Sequence, residues 1–128
     1  GGEQQRAHFA RVLLQLACGE AANGPGILLL DEPTSSLDLR YQINLVELAK
    51  QRARNGTAVI AILHDLNLAA RFADRIVVIH QGRITANGTP GATITADMLR
   101  TVFEVDAEIG GTPDVPSVLP QAMRALTA

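Results

Sequence analysis

One stretch, residues 27–38 with the sequence ILLLDEPTSSLD, constrains this chain more than any other. Four apolar residues, Ile27, Leu28, Leu29 and Leu30, run straight into two carboxylates, Asp31 and Glu32. An uninterrupted apolar run of this length reads as a strand buried on both faces, as in a parallel sheet covered by its crossover helices. Asp31 and Glu32 then emerge at the strand's carboxyl end, the edge of an open α/β sheet where ligands bind. Pro33 stops the strand by removing a backbone donor. Neighbouring strand residues point to opposite faces, so the two acids are expected to do different jobs. One suits a hydrated Mg²⁺, which favours carboxylate oxygen together with water and phosphate. The other suits orienting and polarising an attacking water. Taken alone, ILLLDE also fits a plain strand end with a solvated acidic turn.

Composition sets the outer bounds. With 128 residues, 47% hydrophobic and 19% charged, the chain is long enough for one modest domain with a real core. Eleven basic and thirteen acidic residues give a formal net charge of −2. No basic patch or stripe marks a nucleic-acid partner. The single Cys18 has no partner for an internal disulfide, which is compatible with a reducing compartment. No apolar run approaches the roughly 20 residues needed to cross a bilayer, and no signal-peptide pattern is present. The opening Gly1-Gly2, without an initiator Met, leads to the expectation that a longer protein has been cut.

Before the central stretch, the sequence GGEQQR leads into a helical pattern with Ala10, Leu13, Leu14 and Ala17 on one face. Gly19 is its expected stop. Gly1 and Gly2 then lie at a helix N-terminus, where missing Cβ atoms and the helix dipole suit phosphate. Residues 18–26, CGEAANGPG, read as a turn-rich loop. After the central stretch, Asp38 caps a second helix whose buried stripe is Leu39, Ile43, Val46, Ala49 and Ala53. Arg52 and Arg54 suit its C-terminal end, and Asn55-Gly56 closes it. Residues 57–63, TAVIAIL, form a second buried strand ending at His64-Asp65. His64 therefore reaches the same edge as Asp31 and Glu32. Asp65 caps a short helix over about residues 66–73, with Leu66, Ala69, Ala70 and Ala73 facing inward. Residues 75–80 form a third strand, Gln81-Gly82 a tight turn, and residues 83–86 a returning strand closed by Asn87-Gly88. His80 is read as a surface residue, and His8 has no assigned role. Residues 95–103 form a helix capped by Thr95. Beyond Val105 the pattern fades, and Pro113, Pro116 and Pro120 mark an irregular tail over residues 104–128.

In order and spacing these motifs resemble the ATP-binding subunits of ABC transporters. GGEQQR with its helix (residues 1–17) resembles the signature motif, lacking the Leu-Ser that usually precedes the two glycines. ILLLDE resembles the Walker B strand, and SSLD, residues 35–38, the D-loop. His64, ending the stretch 57–65, matches the switch histidine. The resemblance implies an α/β fold, the C-terminal portion of a P-loop NTPase, with parallel core strands, flanking helices and a C-terminal hairpin. It implies ATP and Mg²⁺ as ligands. Asp31 would support Mg²⁺ through water, Glu32 would be the general base, and His64 would sense the γ-phosphate. Gly1, Gly2 and Glu3 would touch the ATP of the opposite subunit, and Ser36 and Asp38 would contribute from the D-loop at the dimer interface.

The implied partners are a second ATPase subunit in a head-to-tail dimer, transmembrane permease subunits and, indirectly, a periplasmic substrate-binding protein. No nucleic acid is implied. The implied place is the cytoplasmic face of a bacterial inner membrane. No G-x-x-x-x-G-K-[ST] occurs in these residues, so the resemblance covers the part of the domain without the phosphate cradle. This stretch alone is therefore expected not to hydrolyse ATP. HDLNLAARFADR, RITANGTPGATIT and MLRTVFEVDAEI resemble importers of iron-siderophores, haem and cobalamin. GEQQRAHFARVLLQLA, CGEAANGPG and VLPQ are most similar to the haem-importing members. Siderophore or cobalamin import, a non-transport ABC ATPase and an inactive truncated remnant stay open as alternatives.

Overall fold

The computed structural model describes residues 2–35 and 37–126, with the backbone only of Gln121. Gly1 and Ser36, both expected at the nucleotide, lie outside the described residues. Two compact units make up the chain, Gly1–His64 and Asp65–Ala128.

The first unit runs α1 (Gly2–Asn23), β1 (Ile27–Asp31), α2 (Leu39–Arg54) and β2 (Ala58–Ile62). The two strands pair in parallel, with Ile27 opposite Ala58 and Asp31 opposite Ile62. Parallel neighbours need a crossover, and α2 supplies it. Asp38 starts α2 as expected: its Oδ1 accepts the Tyr41 N–H at 3.1 Å. Arg52 and Arg54 occupy the last turn, and Gly56, at φ 101°, takes the left-handed conformation beyond the end. Leu45, Val46 and Ala49 form the buried stripe. The stripe differs from the expected one at its start: Leu39, the first helical residue, is 70% exposed, and Leu45 is buried instead.

Helix α1 does not stop at Gly19 but continues to Asn23, converting most of the expected loop at 18–26 into helix. A mid-helix glycine costs only about 1 kcal/mol relative to alanine. Glu20, Ala21 and Ala22 follow it, the Asn23 side chain donates to Gly19 O, and the left-handed Gly24, at φ 89°, closes the helix by donating to Glu20 O. The inward face also differs. Phe9, Val12, Leu13, Leu16 and Glu20 are half-buried, whereas Ala10, Leu14 and Ala17 are exposed. Apolar residues surround this helix, so its 3.6-residue period fits more than one stripe and packing chooses among them.

The strands are not buried on both faces. Leu28 is buried, but Ile27, Leu29, Ile60 and Ile62 are 66, 69, 59 and 53% exposed. Ile27, Leu29 and Asp31 share one face, and their register partners on that face are Ala58, Ile60 and Ile62. An apolar run signals burial somewhere; it does not say which segment covers each side.

The second unit begins with α3 (Leu66–Phe72), capped by Asp65, whose Oδ1 accepts the Leu68 N–H at 3.0 Å. Leu68 and Ala70 are its buried residues. The hairpin of β3 (Ile76–His80) and β4 (Arg83–Gly88) turns through Gln81 and Gly82, both at positive φ, the two-residue turn that matches strand twist. His80, expected at the surface, is half-buried beside the turn, opposite Arg83. A one-turn helix α4 (Pro90–Thr93), capped by Thr89, lies where no element was expected. Helix α5 (Ala96–Val102) follows, with Thr95 Oγ1 accepting the Met98 N–H at 3.1 Å. The tail is not irregular throughout. It forms β5 (Val105–Asp106), β6 (Ile109–Gly111), β7 (Pro116–Val118) and β8 (Arg124–Ala125), paired antiparallel as β5 with β8 and β6 with β7. Strands of two or three residues are too short for a period-2 pattern to show in sequence. The core joins Ala70, Val78, Ile94, Met98, Leu99, Ala107 and Val118. Asn67 fastens the tail to α3: its amide donates to Val118 O at 3.1 Å and accepts the Val118 N–H at 2.7 Å.

Candidate functional site

Parallel pairing of β1 with β2 sets the carboxyl ends of both strands side by side, and the candidate site is built there. Asp31 is the last residue of β1 and is exposed. Glu32 lies just past the strand, and its N–H donates to Ile62 O at 3.0 Å, extending the ladder by one bond. His64 follows β2 by two residues. Its Nε2 lies 2.6 Å from Glu32 Oε1. With Glu32 a carboxylate, Nε2 carries the hydrogen and donates.

This pair is not there for stability. The side chains are 77% exposed at His64 and 46% at Glu32, and such pairs contribute about 0–1 kcal/mol. Glu32 also holds a left-handed backbone, φ 47°, in a residue with a Cβ. That conformation costs on the order of 1–3 kcal/mol and persists where the surroundings over-determine it, which is the habit of functional sites.

The loop from Glu32 to α2 is closed by its own backbone. Ser35 N–H donates to Glu32 O at 3.3 Å, and Leu37 N–H to Thr34 O at 3.2 Å. Leu37, 7% exposed, anchors the loop in the core. The Gln42 amide on α2 donates to Thr34 O at 3.3 Å and Leu37 O at 2.8 Å. Asp38 serves first as the helix cap. Gly2 opens α1, and Glu3 is exposed in its first turn without a hydrogen bond or ion pair to Glu32 or His64 among the described residues. The structure thus puts Glu32 and His64 in hydrogen-bond contact, with Asp31 ending the adjoining strand β1 opposite Ile62.

Two polar residues that sequence reasoning passed over hold this unit. Glu20 Oε1 accepts from the Thr57 hydroxyl at 2.5 Å and the Gly26 N–H at 2.9 Å, and Oε2 pairs with Arg52. The Thr57 hydroxyl first, then the Gly26 N–H and the Arg52 charge, hold its carboxyl below the ordinary value. Glu20 therefore ties the end of α1 to the entry of β1, the entry of β2 and the end of α2. Nothing local signals this, because Glu20 falls in what reads as a loop. Gln42 is the second, and its one local signal is a polar side chain on the first turn after the Asp38 cap.

Chemically, an exposed carboxylate hydrogen-bonded to an imidazole at a sheet edge can accept a proton and orient water. Mg²⁺ is usually held by one or two carboxylates while water and substrate phosphates complete its shell, and Asp31 suits that role. Among the described residues no group of three or more His, Cys, Asp or Glu forms a protein-only metal cage.

No protein-family profile matches the chain. It is 70% identical over 127 residues to the hemin import ATP-binding protein HmuV of Nitrobacter winogradskyi, covering 98% of this chain and 47% of that protein. The HmuV protein of Bradyrhizobium diazoefficiens is 66% identical over 125 residues, with the same shares covered. A solved structure of a metal-chelate type ABC transporter, in an inward-facing conformation, matches with a TM-score of 0.60 at 20% identity, covering 79% of this chain and 40% of that one. The fold is that of an ABC-transporter ATPase. The chain spans about half the length of the curated relatives it matches. The ABC-ATPase likeness extends over nearly all of these residues, so both strands, Glu32 and His64 fall inside it. No described helix is long and apolar enough to cross a membrane.

Proposed function

We propose that these residues are the part of an ABC importer's ATP-binding subunit that runs from the signature helix onward, and that the whole protein couples ATP hydrolysis to haem import. The observation that carries the cargo is the 70% identity to a hemin import ATP-binding protein over 98% of the chain. Residues 1–17 serve as the signature motif and helix, 27–38 as Walker B and D-loop, and 57–65 as the strand leading to the switch histidine.

In this reading ATP is the substrate, and Asp31 would hold a Mg²⁺ whose chemistry would be neutralisation of the phosphate charge. Glu32 takes the proton of the attacking water, and His64 donates from Nε2 to the γ-phosphate. Phosphoryl transfer depends on positioning and electrostatics more than on covalent chemistry by the protein. Gly1, Gly2 and Glu3 reach the partner's ATP across a head-to-tail dimer, and Ser36 and Asp38 contribute from the D-loop at its interface. Permease subunits and a periplasmic binding protein complete the importer at the cytoplasmic face of the inner membrane.

The test is growth on haem as sole iron source of cells that lack their own haem-import ATPase and are supplied with the full-length protein. Growth that disappears with Glu32→Gln supports the proposal. Failure to grow, with rescue of siderophore or cobalamin uptake in a parallel strain, moves the cargo to that compound.

A further inference from the structure

We infer that Gln42 is the positioning residue that fixes the general base, an inference that rests on the reading of Glu32 given above. Glu32 needs such a residue because its backbone is left-handed. A conformation of that cost persists only when it is held from more than one side. On one side the hold is β2, through the Glu32 N–H on Ile62 O. On the other side the Glu32 carbonyl accepts the Ser35 N–H, and Ser35 lies in a loop, outside any strand or helix.

Gln42 supplies that loop's support. A carboxamide nitrogen carries two hydrogens, and Gln42 Nε2 reaches two carbonyls, Thr34 O and Leu37 O. Those same two residues are joined by the Leu37 N–H to Thr34 O bond, so the side chain closes over a turn that is already cross-linked. Gln42 is half-buried on the first turn of α2, where the Asp38 cap fixes the helix start. The sequence of support runs from α2 through Gln42 to the turn at 34–37, through Ser35 to the Glu32 carbonyl. Removing the two N–H donors frees the turn while leaving the strand, the cap and the Glu32 side chain in place. The base then loses its aim rather than its chemistry. Misplacement of a reacting group by about 1 Å can cost on the order of a hundredfold in rate.

Gln42→Met tests this, because methionine keeps the length and apolar stem of glutamine but has no N–H to donate. The measurement is steady-state ATP hydrolysis by the full-length protein, beside its thermal melt and beside Glu32→Gln as control. The expected result is a fall in kcat of about ten- to a hundredfold that exceeds any rise in KM for MgATP, because Gln42 itself is placed on no phosphate and acts on the base through the turn. The melt stays cooperative and shifts by only a few degrees. Parental kcat in Gln42→Met, with turnover abolished in Glu32→Gln, overturns the inference and leaves the general base standing. Parental kcat in Glu32→Gln overturns the general base, and this inference with it. A fall in kcat that comes with lost nucleotide binding and a collapsed melt also overturns it, since Gln42 then supports the fold alone.

Discussion

Nε2 of His64 stands 2.6 Å from Oε1 of Glu32, across 32 positions of sequence. Parallel register makes the meeting: Asp31 opposes Ile62, and the chain beyond each strand end runs to the same edge. In the full-length protein His64→Ala removes a hydrogen-bond donor at that edge. We expect kcat to fall by about a hundredfold, in the usual range for losing one positioned polar group. Stability changes little, because the pair is exposed. Parental turnover in a purified His64→Ala protein would remove this residue from the mechanism.

The Glu20 cluster predicts a response to pH. Its folded-state carboxyl is held below the ordinary value, chiefly by the Thr57 hydroxyl. A depressed carboxyl contributes stability that is fully present above the ordinary value and is lost as pH falls through the lowered one. Glu20→Gln lowers the melting temperature at neutral pH and flattens its decline in acid. Thermal melts of parent and variant from neutral to strongly acidic pH check this. Parallel declines would show that Glu20 does not carry the acid sensitivity.

Ile27, Leu29, Ile60 and Ile62 leave one face of the β1–β2 pair uncovered. Parallel sheets are normally covered on both faces, and the curated relatives are about twice as long. The 128-residue chain alone is expected to bind an apolar dye and to self-associate. Leu29→Lys reduces both in that chain, yet destabilises the full-length protein by at least roughly 2 kcal/mol, the scale of one buried leucine. A dye-silent, monomeric 128-residue chain would contradict the prediction.

Leu99 is 2% exposed in the core of the second unit, among Ile94, Met98 and Val118. Leu99→Ala leaves a cavity and costs about 2–5 kcal/mol. Urea unfolding of the full-length protein measures it, and a loss under about 1 kcal/mol would mean that the core closes over the gap.

Local signals carried most of what sequence could reveal. Asp38, Asp65 and Thr95 cap their helices as expected, because a cap is decided within four residues. Gln81-Gly82 makes the expected turn for the same reason. That Glu32 and His64 end at one edge was legible because two apolar runs each ended in chemistry-bearing residues, and a parallel sheet aligns such ends. Coverage of the strands was not legible, since Ile27 and Leu28 are equally apolar and only packing separates 66% exposure from 2%. Gly19 misled as a stop because Glu20 and its distant partners extend the helix past it. Gln42, Glu20 and Asn67 act on backbone or side-chain groups that no short window contains. In the tail, two- and three-residue strands formed where no period was visible.

The most direct measurement of the central claim is ATP turnover by the full-length protein with Glu32→Gln, followed by sizing in the presence of MgATP. Glutamine keeps the size of the side chain and cannot take the proton of water. The account predicts turnover lower by at least about a hundredfold, with ATP still bound and the protein held as a dimer. Hydrolysis at the parental rate, with no nucleotide-held dimer, would contradict it.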